Sequence, residues 1–92
     1  MSLPHASSGD VIDLRPYQQR LQEANSTAIV RTEHLELIRT VLHAGKSVPE
    51  HEVSCEMTLQ CIEGCFTVRA HGKEITLQAG QMIFLAAHVP HT

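Results

Sequence analysis

Two histidines, His51 and His91, are the residues of this sequence whose type and spacing best suit chemistry. They are 40 residues apart (91 minus 51), and each lies next to an apolar run. Gly45 precedes His51, whose run closes at Gly64, whereas Gly80 opens the run that leads to His91. Imidazole nitrogen is a common ligand of divalent transition metals. If the two runs form neighbouring strands, the imidazoles are predicted to meet and hold a metal ion.

The run after His51 predicts a strand with one apolar face. Side chains alternate between the two faces of a strand, so every second residue from His51 shares its face. Apart from the histidine, these residues are apolar, and we expect them to face the inside of the domain. They are Val53, Cys55, Met57, Leu59 and Cys61. An apolar ligand pocket is predicted to be lined by Val53, Met57, Leu59, Met82, Phe84 and Leu37.

The rest of the pattern predicts an all-β fold. Short apolar runs alternate with turn residues at spacings of about 8–12 residues, which is typical of a sandwich or a small barrel. A break in the alternation near Ile38 predicts a β-bulge. Pro16 suits a first helical position, which predicts at most one short helix, over residues 16–25. The predicted strands cover residues 11–14, 28–31, 34–44, 54–62, 66–70, 74–77 and 82–86.

Composition limits the function classes. The chain has 92 residues, which predicts a flexible tail over residues 1–10 and a single domain over residues 11–92. The net charge of −3, the 3% aromatic residues and the lack of a basic cluster argue against nucleic-acid binding. No apolar stretch is long enough for a membrane span, and we expect a cytoplasmic protein. A core this small favours a homodimer.

The three cysteines predict reduced thiols. Their number is odd and they form no C-x-x-C pair, so neither a disulfide framework nor a structural zinc site is indicated. Cys55 and Cys61 are predicted to be small buried hydrophobic residues, and Cys65, after a turn, to be exposed.

The spacing of the glycines and histidines resembles the double motif of the cupin superfamily. That motif reads G-x5-H-x-H-x3-E-x6-G, followed by G-x5-P-x-G-x2-H. In this chain Gly45, His51 and Gly64 stand at the matching positions of the first half, and Gly80 and His91 at those of the second. The resemblance covers roughly residues 29–92. It implies a double-stranded β-helix, the jelly-roll cupin barrel, usually dimeric and often with one metal ion inside.

The sequence departs from the motif at several positions. Val53 replaces the second histidine and Met57 replaces the glutamate, so only two of the four ligands of the family, His51 and His91, carry over. Valine cannot bind a metal, and a thioether favours soft ions. The implied cofactor is one divalent transition metal, Fe, Mn, Ni, Zn or Cu, held weakly at the mouth of the barrel.

Two other side chains are candidates for the missing ligands. His88 takes the place of the motif glycine three residues before His91, while Ala86 replaces the motif proline. Cys55 shares the predicted face of His51. Glu50 and Glu52 are predicted to form a solvated rim, or one of them to orient the His51 imidazole. The other histidines are predicted to be surface residues: His5, His34, His43 and His71.

Three functions stay open at this point. One is a metal-dependent enzyme acting on a small polar molecule, although the sequence offers no carboxylate ligand in register and no general base. The second is a non-catalytic cupin that binds or senses a small molecule without metal. The third is a structural domain. Cupin barrels continue for one or two strands beyond the last motif histidine. The resemblance therefore implies either a longer native chain with a C-terminal strand after Thr92, which we favour, or a second subunit that covers the gap.

Overall fold

Short antiparallel strands make up most of the regular structure of residues 5–92, the part of the chain that the computed structural model describes. There is little helix, in agreement with the predicted β-rich composition. The elements are a 3₁₀ helix (Gln18–Glu23), β1 (Thr27–Arg31), β2 (Glu36–Arg39), β3 (Met57–Gln60), β4 (Cys65–Ala70), β5 (Lys73–Gln78) and β6 (Met82–Leu85). None of the helical residues in this range forms a helix long and apolar enough to cross a membrane.

The chain divides into two compact units, Met1–Ala44 and Gly45–Thr92. The first contains the 3₁₀ helix and the β1–β2 pair, and the second contains the β3–β6 and β4–β5 pairs. The prediction of a single domain over residues 11–92 stays a prediction. Of the predicted tail, residues 1–4 lie outside the described residues, and Ala6 donates a backbone hydrogen bond to Ile29 of β1 (2.8 Å).

The predicted bulge lies in the β1–β2 pair. Ala28 stands opposite Ile38 and Val30 opposite Leu37, so Ile29 is the extra residue. The prediction placed the irregularity on the strand that carries Ile38, whereas the structure places the extra residue on its partner. A bulge is a property of a strand pair, and the sequence of one strand does not show which strand carries the insertion.

The prediction of a strand over residues 11–14 is wrong, because this segment pairs with no other strand among residues 5–92. The carboxylate of Asp13 accepts hydrogen bonds from the backbone N–H and the Nε of Arg15, both at 3.0 Å. A local bond of this kind competes with strand pairing. The side-chain hydrogen bond from Arg15 lowers the pKa of Asp13 to about 2. The predicted helix over 16–25 is realised as the shorter 3₁₀ helix.

Polar contacts rather than a core hold the first unit together. None of residues 5–44 is fully buried. The guanidinium of Arg39 lies 3.8 Å from the centroid of the Tyr17 ring and donates a hydrogen bond of 2.7 Å to the backbone oxygen of Arg15. Cation–π contacts at exposed sites contribute roughly 0.5–1 kcal/mol. Arg39 therefore attaches the segment before the 3₁₀ helix to β2.

A tight hairpin joins β4 to β5 in the second unit, as predicted. Its two central residues, His71 and Gly72, both have positive φ, 54° and 71°. This is the backbone of a type I′ turn, whose twist matches that of the flanking strands. The register pairs Ala70 with Lys73 at the turn and Cys65 with Gln78 at the far end.

The two glycine-to-histidine segments are antiparallel partners. In the β3–β6 ladder, Met57 stands opposite Leu85. His51, six residues before Met57, stands opposite His91, six residues after Leu85, in an isolated bridge. The chain leaves regular strand geometry between these points, and yet the register at both ends is the same. The predicted meeting of the two segments is therefore observed.

The hydrophobic core lies wholly within the second unit. Its buried members are Cys61, Val68, Ala70, Leu77 and Leu85. Half-buried side chains pack against them from both ladders and from the segment before His91: Met57, Leu59, Phe66, Ile75, Ile83 and Val89. The other face of β6 is exposed, with 55% of Met82 and 58% of Phe84 accessible. The strand β6 thus packs one apolar face in the core and exposes a second apolar face.

We expect Leu85→Ala to lower the free energy of unfolding by about 2–5 kcal/mol, because it removes a side chain that is only 1% exposed from a packed core. Leu35→Ala is the matched control, the same substitution at a leucine that is 57% exposed, and we expect it to cost under about 1 kcal/mol. Urea unfolding followed by far-ultraviolet circular dichroism measures both. Equal losses from the two variants would contradict the burial of Leu85 in the core.

Candidate functional site

His51 and His91 form a directly paired couple at the end of the ladder between the two segments. Each donates its backbone N–H to the backbone oxygen of the other, at 3.0 and 2.9 Å. Residues paired in this way present their side chains on the same side of the sheet. The two imidazole rings accordingly lie side by side, with centroids 4.4 Å apart and planes inclined by 56°.

Backbone carbonyl groups fix the orientation of both rings. Nδ1 of His51 lies 3.0 Å from the oxygen of Pro49, and Nδ1 of His91 lies 3.0 Å from the oxygen of Val89. A carbonyl oxygen can only accept, so each Nδ1 carries the proton. The Nε2 atom of a neutral ring then keeps its lone pair. This is the arrangement found in metal-ligating histidines, whose second nitrogen donates to a carbonyl or carboxylate.

His91 is held from two sides. It forms bridges with His51 on one side and with Ala70 of β4 on the other. The next residue, Thr92, exchanges backbone hydrogen bonds with Arg69 at 2.8 and 3.1 Å. His91 is only 5% exposed, whereas His51 is exposed. The pair therefore combines one anchored, buried imidazole with one that solvent and ligands can reach.

The structure does not bring the other two candidate ligands to this pair. His88 points its Nδ1 at the carboxylate of Glu52, at 4.0 Å, and its backbone N–H donates to the oxygen of Val53. Cys55 is exposed, so its predicted burial is wrong. The chain is not in a regular strand at this residue, and the alternation that predicted an inward thiol does not reach it. Among residues 5–92, no three His, Cys, Asp or Glu side chains are grouped to hold a metal ion.

The predicted pocket residues are divided between faces. Met57 and Leu59 are half-buried against the core, and Val53 is half-buried before β3. Met82 and Phe84 pair with Gln60 and Thr58, and so they share the outward face of the ladder. Leu37 belongs to the first unit. A continuous apolar run such as β6 does not reveal which alternate residues point inward, and this is why sequence reasoning placed all of them together.

Cys61 and Cys65 lie as predicted. Cys61 is 1% exposed, and its Sγ approaches the backbone oxygens of Glu63 and Gly64 at 3.4 and 3.5 Å. Burial raises the pKa of this thiol, which keeps it protonated and unreactive. Cys65 is exposed at the start of β4. The four histidines predicted to be surface residues are all exposed: His5, His34, His43 and His71.

The groups that orient the imidazoles are the feature that sequence reasoning missed. Glu50 and Glu52 were expected to form a solvated rim, and both are exposed. The alternative, that one of them orients the His51 ring, is wrong, because the acceptor is the carbonyl of Pro49. In both histidines the acceptor is the backbone two residues earlier, at Pro49 and Val89. Every residue type carries a backbone carbonyl, so no letter of the sequence identifies these acceptors. The bond requires only that the chain bend locally before each histidine.

Taken together, the pair provides two imidazole donors with defined tautomers and one open side. Nitrogen donors of this kind suit Zn, Cu, Ni and Fe. Two ligands leave several coordination positions for water or for an added molecule. The same pair can also accept hydrogen bonds from a polar ligand. With the proton on Nδ1, the lone pair of each Nε2 atom is available as an acceptor.

The sequence matches no protein-family model. A comparison with curated proteins also found no significant match.

His88 has a left-handed backbone, with φ at 63°. Such a conformation costs a non-glycine residue about 1–2 kcal/mol, and the exposed contact with Glu52 offsets little of that. We expect His88→Gly to raise the free energy of unfolding by about 0.5–1 kcal/mol, after the extra entropy that glycine loses on folding. The control is His43→Gly, at an exposed position without positive φ, which should lower it. A decrease in both variants, measured by urea unfolding, would refute the strain at His88.

Proposed function

We propose that this chain is a small cupin-like domain that binds one divalent transition metal through Nε2 of His51 and Nε2 of His91. In this proposal the two strand pairs of the second unit belong to a jelly roll. The observation that carries the proposal is the anchoring of both Nδ1 atoms on backbone oxygens at 3.0 Å. Each ring is held through its Nδ1, and the two ring centroids are 4.4 Å apart, so the pair can bind a metal without a change of tautomer.

The backbone at the motif glycines also agrees with the cupin pattern. Gly45, Gly64 and Gly80 have φ of 79°, 71° and 90°, values that favour glycine over other residues. The fourth glycine of the motif corresponds to His88, which also has positive φ. All four positions at which the cupin pattern has glycine thus have the conformation that explains it.

The proposed activity is binding rather than a defined reaction. With two protein ligands, the bound metal would supply Lewis acidity at its open positions. His91 would hold the ion from the buried side, and the exposed His51 would close the site towards solvent. The alternative is a small-molecule binding domain without metal. It is favoured by the observation that no third ligand is grouped with the pair among the described residues.

Affinity should follow the ligand number and the metal series. We expect His51→Ala and His91→Ala each to weaken Zn²⁺ binding at least about 100-fold, because each removes one of only two ligands. In the unaltered chain, affinity should rise from Mn²⁺ to Cu²⁺ and be lower for Zn²⁺ than for Cu²⁺, since an open site imposes no geometry of its own. Isothermal titration of protein without an affinity tag measures both.

His34→Ala is the matched control, because it removes an exposed histidine far along the sequence and leaves the pair intact. Unchanged Zn²⁺ binding in this variant assigns the metal to His51 and His91. Binding that persists in both pair variants would reject the metal site. Absence of binding in the unaltered chain, with the ring hydrogen bonds still visible by nuclear magnetic resonance, would favour the alternative without metal.

A homodimer is part of the same proposal. The outward face of β6 carries Met82 and Phe84, which are more than half exposed and apolar. Burying such a side chain contributes roughly 1.5–3 kcal/mol, and a second copy of the chain would supply that burial. We expect Phe84→Ser to shift the chain towards monomer, and Val11→Ser, at another highly exposed apolar residue, to leave it unchanged. Light scattering after size exclusion measures this, and a monomeric unaltered chain would refute the dimer.

A further inference from the structure

A row of polar side chains crosses the second unit on the side opposite the imidazoles. Because His51 pairs with His91, the preceding Glu50 stands opposite Thr92. Thr92 in turn exchanges two backbone hydrogen bonds with Arg69, and Arg69 pairs with Glu74 in the hairpin. Directly opposed residues share a face. Glu50, Thr92, Arg69 and Glu74 are therefore neighbours on one face, and we call them the polar row.

The polar row borders a cleft of about 570 Å³. Glu50, Arg69 and Glu74 line it together with the hairpin turn and Pro90. The cleft is open to solvent, because every residue that lines it except Ala70 is exposed. The main chain beneath it is fixed by the two-sided pairing of the His91–Thr92 segment. The charged groups at the cleft are thus held by a hydrogen-bonded backbone rather than by a loose loop.

The charges of the row are only partly neutralised. Nη2 of Arg69 lies 2.9 Å from a carboxylate oxygen of Glu74. A guanidinium has five N–H donors, so donors remain for a second carboxylate. Within residues 5–92, no salt bridge involves Glu50. The hydroxyl of Thr92 donates to the oxygen of Val48 and does not compete for either charge. The cleft therefore offers one unpaired carboxylate, one guanidinium with spare donors and the ammonium of Lys73, which also lines it.

We propose that this cleft binds a small zwitterion with an ammonium and a carboxylate group on one carbon, as in a free α-amino acid. Arg69 receives the carboxylate and Glu50 receives the ammonium. One strand lies between them, so their backbones are about 10 Å apart, and both residues line the same cleft. Charge-assisted hydrogen bonds to both ends of the ligand give the selectivity. The site uses neither imidazole and does not depend on a metal.

The test uses the unaltered 92-residue chain, freed of metal by a chelator, with glycine as the probe. Two matched probes remove one charge each: N-acetylglycine lacks the ammonium, and glycinamide lacks the carboxylate. Amide shifts in ¹H–¹⁵N spectra should report millimolar glycine binding at residues 69–74. Each blocked probe should bind at least about tenfold more weakly, because one charge-assisted contact is lost. Equal binding of N-acetylglycine would reduce the cleft to an anion site and overturn the proposal.

Variants assign the groups. Glu50→Gln and Arg69→Gln should each weaken glycine binding about tenfold, whereas Glu74→Gln should strengthen it by freeing the guanidinium. Arg31→Gln is the matched control, because Arg31 forms the same kind of exposed cross-strand pair with Glu36, at 2.8 Å. Unchanged shifts in Glu50→Gln, or no shifts in the unaltered chain, would overturn the proposal. The comparison of the three probes needs no variant, so it stands even if Arg69→Gln does not fold.

Discussion

The antiparallel pairing of the two glycine-to-histidine segments is the constraint on which the rest of the second unit depends. Main-chain hydrogen bonds fix Met57 opposite Leu85 and His51 opposite His91. A slip of one residue would turn every side chain of one segment to the other face. Leu85 would then leave the core and the two imidazoles would separate. Core packing and the candidate site are therefore two results of one register, and a shift of that register would disrupt both.

Features that depend on nearby residues could be predicted from the sequence. The hairpin at His71 and Gly72 depends on a two-residue turn that tolerates positive φ, and the structure has it there. The meeting of His51 and His91 joins residues distant in the sequence. It could still be predicted, because each histidine lies next to an apolar segment bounded by glycine. In both cases the residues that determine the feature are visible in the sequence, as a turn that needs positive φ or as two similar apolar segments.

Features that depend on the partner strand or on backbone atoms could not be predicted. The bulge at Ile29 is decided by the pairing with β2, and the outward direction of Phe84 by the pairing with β3. The hydrogen bond between Asp13 and Arg15 outcompetes a strand that alternation alone favoured. The carbonyl acceptor of His51 belongs to Pro49, whose side chain plays no part in the bond. The alternation of apolar residues describes a single segment, whereas these features depend on a partner strand or on backbone atoms.

The two-sided bridging of His91 also has a consequence for the order in which the second unit folds. The β4–β5 hairpin joins residues close in sequence, whereas the bridge between His51 and His91 closes a loop of 40 residues (91 minus 51). The entropy cost of loop closure grows with loop length, and non-local pairings form slowly. Because Ala70 also pairs with His91, a preformed hairpin offers the C-terminal segment a template and shortens the remaining search. We therefore expect the imidazole pair to come together late, after the hairpin has formed.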